Sequence, residues 1–271
     1  MLAATNRSER EGGTGQGARP FTLALDIGGT FLKAAVLDAR GGMVAERIRA
    51  PTPKPATPQA VLEVVRELTA EFPSFDRASV GFPGVVRGGV VSTAPNLGTG
   101  FWAGFHLIDA MSAQFGVPVR LLNDAAVQGL GVVEGPGLEC VITLGTGVGC
   151  ALFRDRRLLL HLEFGQLERV PGENYDRFIG QGALDIVGLE TWNVRVRQSV
   201  DTIVGLTNCD VLYVGGGNAR KLEAGLPLLV KIVSNVAGVT GGVRLWEPEM
   251  DSFFAGVKNA QWPHDPPRAG R

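Results

Sequence analysis

The stretch Leu25-Asp26-Ile27-Gly28-Gly29-Thr30 decides the fold of this chain. An apolar run, residues 21–25, leads into it and another, residues 31–37, follows, an order that predicts a strand, a tight glycine turn and a second strand. Paired glycines allow a sharp bend and a close approach of the backbone to a ligand. The exposed amides and the Thr30 hydroxyl suit phosphate oxygens, and Asp26 suits Mg²⁺ bound through water. The other interpretation is an ordinary Gly-Gly hairpin, because short motifs match by chance.

A second stretch of the same design occurs later in the chain. Residues 140–144 are mostly apolar and lead into Gly145-Thr146-Gly147-Val148-Gly149, after which residues 150–153 are again apolar. Two matching hairpins predict a duplicated architecture in which both glycine turns face one cleft and hold phosphates. Neither turn is a P-loop, since no Gly-Lys-Ser/Thr follows it.

Composition excludes several classes of function. With 271 residues the chain can bury a good core, as one large domain or two ordinary ones. The net charge is −1, from 26 Lys and Arg against 27 Asp and Glu, so we expect no nucleic-acid partner. No apolar stretch approaches the ~20 residues of a membrane span, so we expect no membrane partner either. The three cysteines (140, 150 and 209) are too scattered for a disulfide framework or a CxxC zinc site, which favours a reducing cytoplasm.

Apolar periodicity and turn residues predict the remaining elements. We expect helices over residues 58–71, 105–115, 125–133 and 189–204 and one starting at residue 219. We expect buried strands over 79–82 and 210–214, and further strands over 117–122 and 230–233. Residues 94–104, which include Asn96, are expected to form a long loop of the kind that is often functional. Residues 165–182, which include Asp176, are expected to be mostly solvated surface.

Asp124 lies between a predicted strand and a predicted helix. An Asp in this place is more often an N-cap than a catalyst. The functional interpretation is that its carboxylate accepts a proton from a hydroxyl while a phosphoryl group moves. The positive end of the helix dipole would keep that carboxylate ionised at neutral pH.

Several stretches occur in the order found in one kinase family. They are Asp26–Thr30, Asn123–Ala126, Leu144–Gly149, Glu163–Gly165 and Gly215–Gly217. As a set they resemble the sugar kinases of the ROK (repressor, open reading frame, kinase) family, of the actin-like, hexokinase-like ATPase superfamily. Residues 52–58, 81–91 and 163–168 make the chain most similar to the polyphosphate/ATP glucokinases.

The resemblance implies an α/β actin-like ATPase (ribonuclease H-like) fold with two lobes flanking a central cleft. We expect a disordered leader over residues 1–19, an N-terminal α/β lobe over 20–122, a C-terminal α/β lobe over 123–258 and a loose tail over 259–271. The resemblance also implies a homodimer.

The resemblance assigns roles to individual residues. It places a sugar against Asn96, Asn123, Asp124, Glu163 and Gln166, with Asp124 as the general base. It places the phosphates and nucleotide against Asp26, Gly28, Gly29, Thr30, Lys33, Gly145, Thr146, Gly147, Gly149, Gly215, Gly216, Gly217 and Asn218, with Mg²⁺ at Asp26.

This chain departs from the relatives at one sugar position. They carry Glu-x-Gly-His, whereas here Gln166 follows Glu163 and Gly165. Gln can hydrogen-bond to hydroxyls but cannot titrate. His161 lies two residues before Glu163, and we expect it to be structural.

The predicted activity is transfer of a phosphoryl group from ATP or polyphosphate to a hexose hydroxyl. Two alternatives remain open: a non-catalytic sugar or nucleotide sensor, and a kinase of an amino or acylated sugar.

Overall fold

The computed structural model describes residues 17–223, 225–234 and 237–254. The tail expected over 259–271 and most of the leader expected over 1–19 therefore lie outside the described residues.

The described strands lie in two five-stranded sheets and two short hairpins. In chain order they are β1 (Thr22–Ile27), β2 (Phe31–Leu37), β3 (Ile48–Pro51), β4 (Arg77–Phe82), β5 (Val86–Arg87), β6 (Val90–Val91), β7 (Val119–Asn123), β8 (Leu138–Leu144), β9 (Val148–Arg154), β10 (Arg157–Leu162), β11 (Glu168–Val170), β12 (Glu173–Asn174), β13 (Val211–Gly215) and β14 (Val230–Ile232).

The described helices connect the strands. They are α1 (Pro58–Thr69), α2 (Thr99–Trp102), α3 (Leu107–Phe115), α4 (Asp124–Leu130), α5 (Tyr175–Ile179), α6 (Gln181–Thr207), α7 (Ala237–Thr240) and α8 (Asp251–Phe254). Shorter 3₁₀ turns span Phe164–Gln166, Ala219–Lys221, Gly241–Trp246 and Pro248–Met250.

The two large sheets share one topology. The first has the order β3-β2-β1-β4-β7 and the second has the order β10-β9-β8-β13-β14. In each, three antiparallel strands are followed by two that pair parallel. The duplication predicted from the two glycine hairpins is therefore confirmed, with β1–β2 and β8–β9 as the equivalent hairpins.

Local sequence explains how several helices begin and end. The Thr57 side chain accepts a hydrogen bond from the Ala60 amide at 3.3 Å, and Pro58 occupies the first turn of α1. The apolar side chains of Val61 and Val65, one turn apart, are fully buried against the first sheet. Helix α3 ends at Gly116, whose φ of 68° is left-handed.

Helix α4 lies between the two sheets and positions the site. It packs on β4 of the first sheet and on β8 and β9 of the second. Its small residues allow this close approach: a Cβ at Gly129 would lie 2.3 Å from the Phe153 ring. The N-terminus of α4, with Asp124, is thereby fixed between the two halves.

The C-terminal segment returns to the first sheet. Ser79 on β4 donates from its hydroxyl to the Gly242 carbonyl at 2.6 Å and accepts from the Trp246 indole N–H at 2.8 Å. Residues 237–254 thus contact the N-terminal half, although we predicted them within a C-terminal lobe. The lobe boundaries themselves stay a prediction.

Three local predictions need correction. The helix expected from Ala219 is a single 3₁₀ turn, because no side chain caps it and the chain becomes extended at Leu222. The long helix begins at Gln181, not near residue 189, and is kinked at Gly188, where φ is 77°. The loop expected over 94–104 contains the short helix α2.

None of the described helices combines the length and the apolar character required to cross a membrane. The three cysteines are buried and free.

Candidate active site

Both glycine turns line one cleft of about 920 Å³ between the two sheets. The first turn contributes Gly28, Gly29 and Thr30, and the second contributes residues 145–149. The prediction that the two turns face a shared cleft is confirmed.

Hydrogen bonds hold the two turns in shape and against each other. In the first turn the Gly28 amide donates to the Phe31 carbonyl at 3.0 Å, and the Thr52 hydroxyl donates to the Gly28 carbonyl at 2.6 Å. Across the cleft the hydroxyls of Thr30 and Thr146 are 3.0 Å apart. Such preformed turns present backbone donors to an anion without a further ordering cost.

Asn96 lies where the two turns meet. A Cβ added to Gly29 would come within 3.1 Å of the Asn96 Cβ, and one added to Gly147 within 2.8 Å of its Nδ2. The long loop predicted to be functional therefore does reach the cleft.

Asp124 is the first residue of α4 and follows the carboxyl end of β7. Asn123 is the N-cap, since its side-chain oxygen accepts from the Ala125 amide at 3.0 Å. The Oδ1 atom of Asp124 accepts from the same amide at 2.8 Å. Capping is therefore supplied by Asn123, which leaves the Asp124 carboxylate facing the cleft.

Burial changes the ionisation of Asp124. Burial, followed by the charge of Asp26, raises the pKa of the Asp124 carboxyl to about 7; the Ala125 amide opposes this rise in part. At this pKa the carboxyl is partly protonated at neutral pH, so burial opposes the stabilisation of the charged form that we expected from the two-turn helix α4. A pKa near the working pH suits a base that must both accept and release a proton.

This pKa predicts the pH dependence of the activity. Only ionised Asp124 can accept a proton, so kcat/KM should rise with pH through about 7 and then level off. A pH–rate profile of kcat/KM at saturating donor measures this. A rise centred near pH 4 would contradict the environment described for Asp124.

Asp26 and Lys33 form a partly buried ion pair on neighbouring strands. The Lys33 Nζ donates to Asp26 Oδ2 at 2.7 Å, and both residues line the cleft. Among residues 17–223, 225–234 and 237–254, no cluster of three or more metal-ligating side chains is present. Mg²⁺ typically uses one or two carboxylates with water and phosphate oxygens, so Asp26 together with a donor phosphate fits this ion.

Glu163, Gln166 and Asp176 lie together at one end of the cleft. The Gln166 amide donates to Asp176 Oδ2 at 2.7 Å. Burial, then the charge of Asp176, raises the pKa of Glu163 to about 6. This end supplies several acceptors and an amide, which suits a polyol.

The prediction that Asp176 belongs to solvated surface is wrong. Its Oδ1 accepts from the Val148 amide at 2.7 Å, so it fixes the second glycine turn, and burial raises its pKa. The physical reason is α5, whose Tyr175, Phe178 and Ile179 are buried and bring Asp176 under that turn.

His161 lies beside this end without lining the cleft. Its Nε2 is 3.7 Å from Glu163 Oε1, and burial, followed by the charge of Arg87, lowers its pKa. A neutral ring next to Glu163 agrees with the expected structural role.

The third glycine stretch follows β13 and lies beside the second glycine turn, since the Asn218 amide donates to the Leu144 carbonyl at 2.9 Å. Gly216, Gly217 and Asn218 line the cleft, whereas Gly215 does not and packs on the buried Gln128. The Gln128 Nε2 atom has no hydrogen-bond partner among the described residues. Gly216 has a φ of 87°, and its backbone packs directly on the backbone of Leu144 in β8. Because the helix expected at Ala219 is one 3₁₀ turn, no helix N-terminus faces a ligand there.

Sequence reasoning missed several cleft residues. They are Arg47, Arg49, Gln128, Asp176, Gln181, Arg220 and Lys221. Arg49 on β3 had a usable signal, since it stands between the apolar residues Ile48 and Ala50, and Arg47 comes just before the strand.

Comparison with known proteins identifies the family. The sequence pattern of the ROK family matches residues 22–160. The chain belongs to the ROK family. It is 32% identical over 239 residues to the polyphosphate glucokinase of Mycobacterium tuberculosis (strain ATCC 25177 / H37Ra), covering 81% of this chain and 88% of that protein.

Solved structures agree. The inorganic polyphosphate/ATP-glucomannokinase of Arthrobacter sp. strain KM superposes with a TM-score of 0.76 at 31% identity, covering 83% of this chain and 98% of that one. The ROK family glucokinase of Streptomyces griseus, solved with glucose and AMPPNP, has a TM-score of 0.71 at 19% identity, with 83% and 98% covered. The predicted α/β actin-like ATPase fold, with two lobes flanking a cleft, is confirmed.

Proposed function

We propose that this ROK-family chain is a glucokinase-like sugar kinase that transfers a phosphoryl group from ATP or polyphosphate to a hexose hydroxyl. The observation that supports it best is Asp124, a carboxylate with a pKa near 7 in the cleft lined by both glycine turns. The similarity to a polyphosphate glucokinase and to a polyphosphate/ATP-glucomannokinase supports the same reaction.

The donor would bind with its terminal phosphates between the two turns. Backbone amides and the hydroxyls of Thr30 and Thr146 would contact the phosphate oxygens. Mg²⁺ held at Asp26 would neutralise charge on the donor's phosphates. Lys33 would hold the Asp26 carboxylate in place through their ion pair.

The sugar would bind at the end formed by Asn96, Asn123, Glu163 and Gln166. Asp124 would accept the proton of the attacking hydroxyl as its oxygen bonds to phosphorus and the bond from phosphorus to the donor's bridging oxygen breaks. Closure of the two lobes would exclude water and so limit hydrolysis of the donor.

A hexose panel assayed with ATP and polyphosphate in parallel tests this proposal. Glucose, mannose, galactose, N-acetylmannosamine and N-acetylglucosamine should be separated by kcat/KM, with glucose or mannose preferred. A preference for an acetylated sugar would favour the amino-sugar alternative. Sugar binding without turnover with either donor would favour the sensor.

Gln166 provides a prediction about sugar selectivity. Gln166→His should keep a donor to Asp176 and add a group that can titrate, so the preference for glucose over the other hexoses should rise about tenfold. The same panel measures it, with the exposed Gln198→His on α6 as control. Unchanged selectivity would show that residue 166 does not contact the sugar.

A homodimer and a cytoplasmic location remain predictions.

A further inference from the structure

A row of cations crosses the first sheet outward from Asp26. Asp26 pairs in register with Lys33, and Lys33 pairs with Arg49 on the edge strand β3. Residues opposite each other in adjacent strands have side chains on the same face. Arg47 lies two residues before Arg49, and both arginines line the cleft. The row therefore continues the phosphate site toward the edge of the sheet.

The two arginines are available for a ligand. Both are exposed, and among the described residues neither forms an ion pair with a carboxylate. The Arg49 guanidinium lies 4.8 Å from the centre of the Phe31 ring, which orients it without neutralising its charge. Lys33, by contrast, is paired with Asp26 at 2.7 Å.

Charge is distributed unevenly along the cleft. The carboxylates of Asp124, Glu163 and Asp176 line it, and the pKa of each is raised. The unpaired cations are elsewhere, with Arg47 and Arg49 on the first-sheet wall and Arg220 and Lys221 on the second. On the first-sheet wall the Asp26 carboxylate is already paired with Lys33, so among the described residues Arg47 and Arg49 are left there without a carboxylate partner.

This first-sheet wall has little that would favour a nucleobase. Among the described residues that line the cleft, Phe31 is the aromatic one, and the Arg49 guanidinium covers its ring. Two exposed arginines two residues apart, Arg49 on β3 and Arg47 just before it, instead match a ligand with a negative charge at every repeat, because each phosphate along the chain can meet a guanidinium.

We propose that Arg47 and Arg49 bind the tail of a linear polyphosphate that extends past the phosphates held by the two glycine turns. This inference rests on the proposed kinase function and deepens it by assigning donor specificity to Arg47 and Arg49 at the start of β3. We therefore expect a donor with only three phosphates to leave this tail site empty and a longer chain to occupy it.

Removing the two charges tests the assignment. In the purified protein Arg47→Gln/Arg49→Gln, kcat/KM with long-chain polyphosphate should fall about 10–100-fold relative to kcat/KM with ATP or tripolyphosphate. The matched control is Arg40→Gln/Arg157→Gln, which loses the same charge at exposed positions outside the cleft and should keep the wild-type ratio. Added salt should weaken use of long chains more in the wild type than in the double variant.

Two results would overturn the proposal: an unchanged ratio of long-chain polyphosphate to ATP in the β3 variant, or an equal change in the control. Direct binding of end-labelled long-chain polyphosphate, followed by fluorescence anisotropy, separates this inference from the kinase proposal. If no hexose is phosphorylated with any donor, the kinase proposal fails. In that case the tail site is tested by binding alone: Arg47→Gln/Arg49→Gln should bind long-chain polyphosphate more weakly than wild type, and equal affinity would rule the site out.

Discussion

Asp124→Asn is expected to lower kcat for hexose phosphorylation by about 10²–10⁴-fold, the usual contribution of a positioned general base. The amide has nearly the same shape and can still hydrogen-bond to a sugar hydroxyl, but it cannot accept the proton. The dissociation constant for the sugar should therefore stay within a few-fold of the wild-type value. Steady-state kinetics and calorimetric sugar binding measure the two quantities separately.

A stability measurement on the same variant tests the raised pKa of Asp124 independently of turnover. The pKa of Asp124 is raised in the folded protein, so folding favours its protonated form. Stability from this group is present below its unfolded pKa of about 4 and is lost as pH rises through about 7. The free energy of unfolding of Asp124→Asn should thus exceed that of wild type by about 2 kcal/mol at pH 8 and equal it near pH 4. The difference at pH 8 is smaller than the full pKa shift would give, because solvent screens charges in an open cleft.

Asp201→Asn is the matched control, because Asp201 is exposed on α6 and outside the cleft. It should change neither turnover nor the pH dependence of denaturant unfolding. Near wild-type turnover in Asp124→Asn would remove Asp124 from the role of base.

Gly216→Ala is expected to destabilise the protein by about 2–4 kcal/mol and to impair donor use. Its φ of 87° strains any residue with a Cβ, and an added Cβ would lie 2.4 Å from the Leu144 carbonyl oxygen. That oxygen accepts a hydrogen bond from the Asn218 amide at 2.9 Å, so the collision would displace a cleft residue as well. Urea denaturation and the KM for ATP measure the two effects.

Gly205→Ala supplies the control for this substitution. Gly205 lies inside α6, and apart from its chain neighbours and the backbone of its own helix no described atom lies within 4 Å of the position of an added Cβ. The same chemical change there should leave KM unaltered and stabilise the protein by about 0.5–1 kcal/mol, since Ala favours a helix. Equal stability of the two variants would show that Gly216 is not constrained as described.

The architecture of the fold could be predicted because its signals are local and repeated. Two apolar runs around a glycine turn predict each hairpin, and the second occurrence of this pattern indicates the duplication. The position of Asp124 at the end of a strand followed from the same pattern. The shared cleft could be predicted because equivalent turns lie at the same end of each of the two duplicated sheets.

The errors arise from properties that depend on tertiary packing. In the sequence, the charged residues around Asp176 indicate a solvated surface. In the structure, the aromatic side chains of α5 are buried, and this packing places the Asp176 carboxylate under the second glycine turn. The pKa of Asp124 depends on burial and on Asp26, which is nearly a hundred residues away in sequence, so the adjacent helix was a poor guide. The sequence around Ala219 has the pattern of a strand, a glycine turn and a helix. The structure has only one 3₁₀ turn there, because the chain becomes extended at Leu222.

Structure determination with glucose and a non-hydrolysable ATP analogue bound tests where the sugar and the donor bind. We expect a sugar hydroxyl within hydrogen-bond distance of the Asp124 carboxylate, with the terminal phosphate between the turn at Gly28–Thr30 and the turn at Gly145–Gly149. Sugar bound away from Asp124, or a donor phosphate in contact with neither turn, would contradict this arrangement.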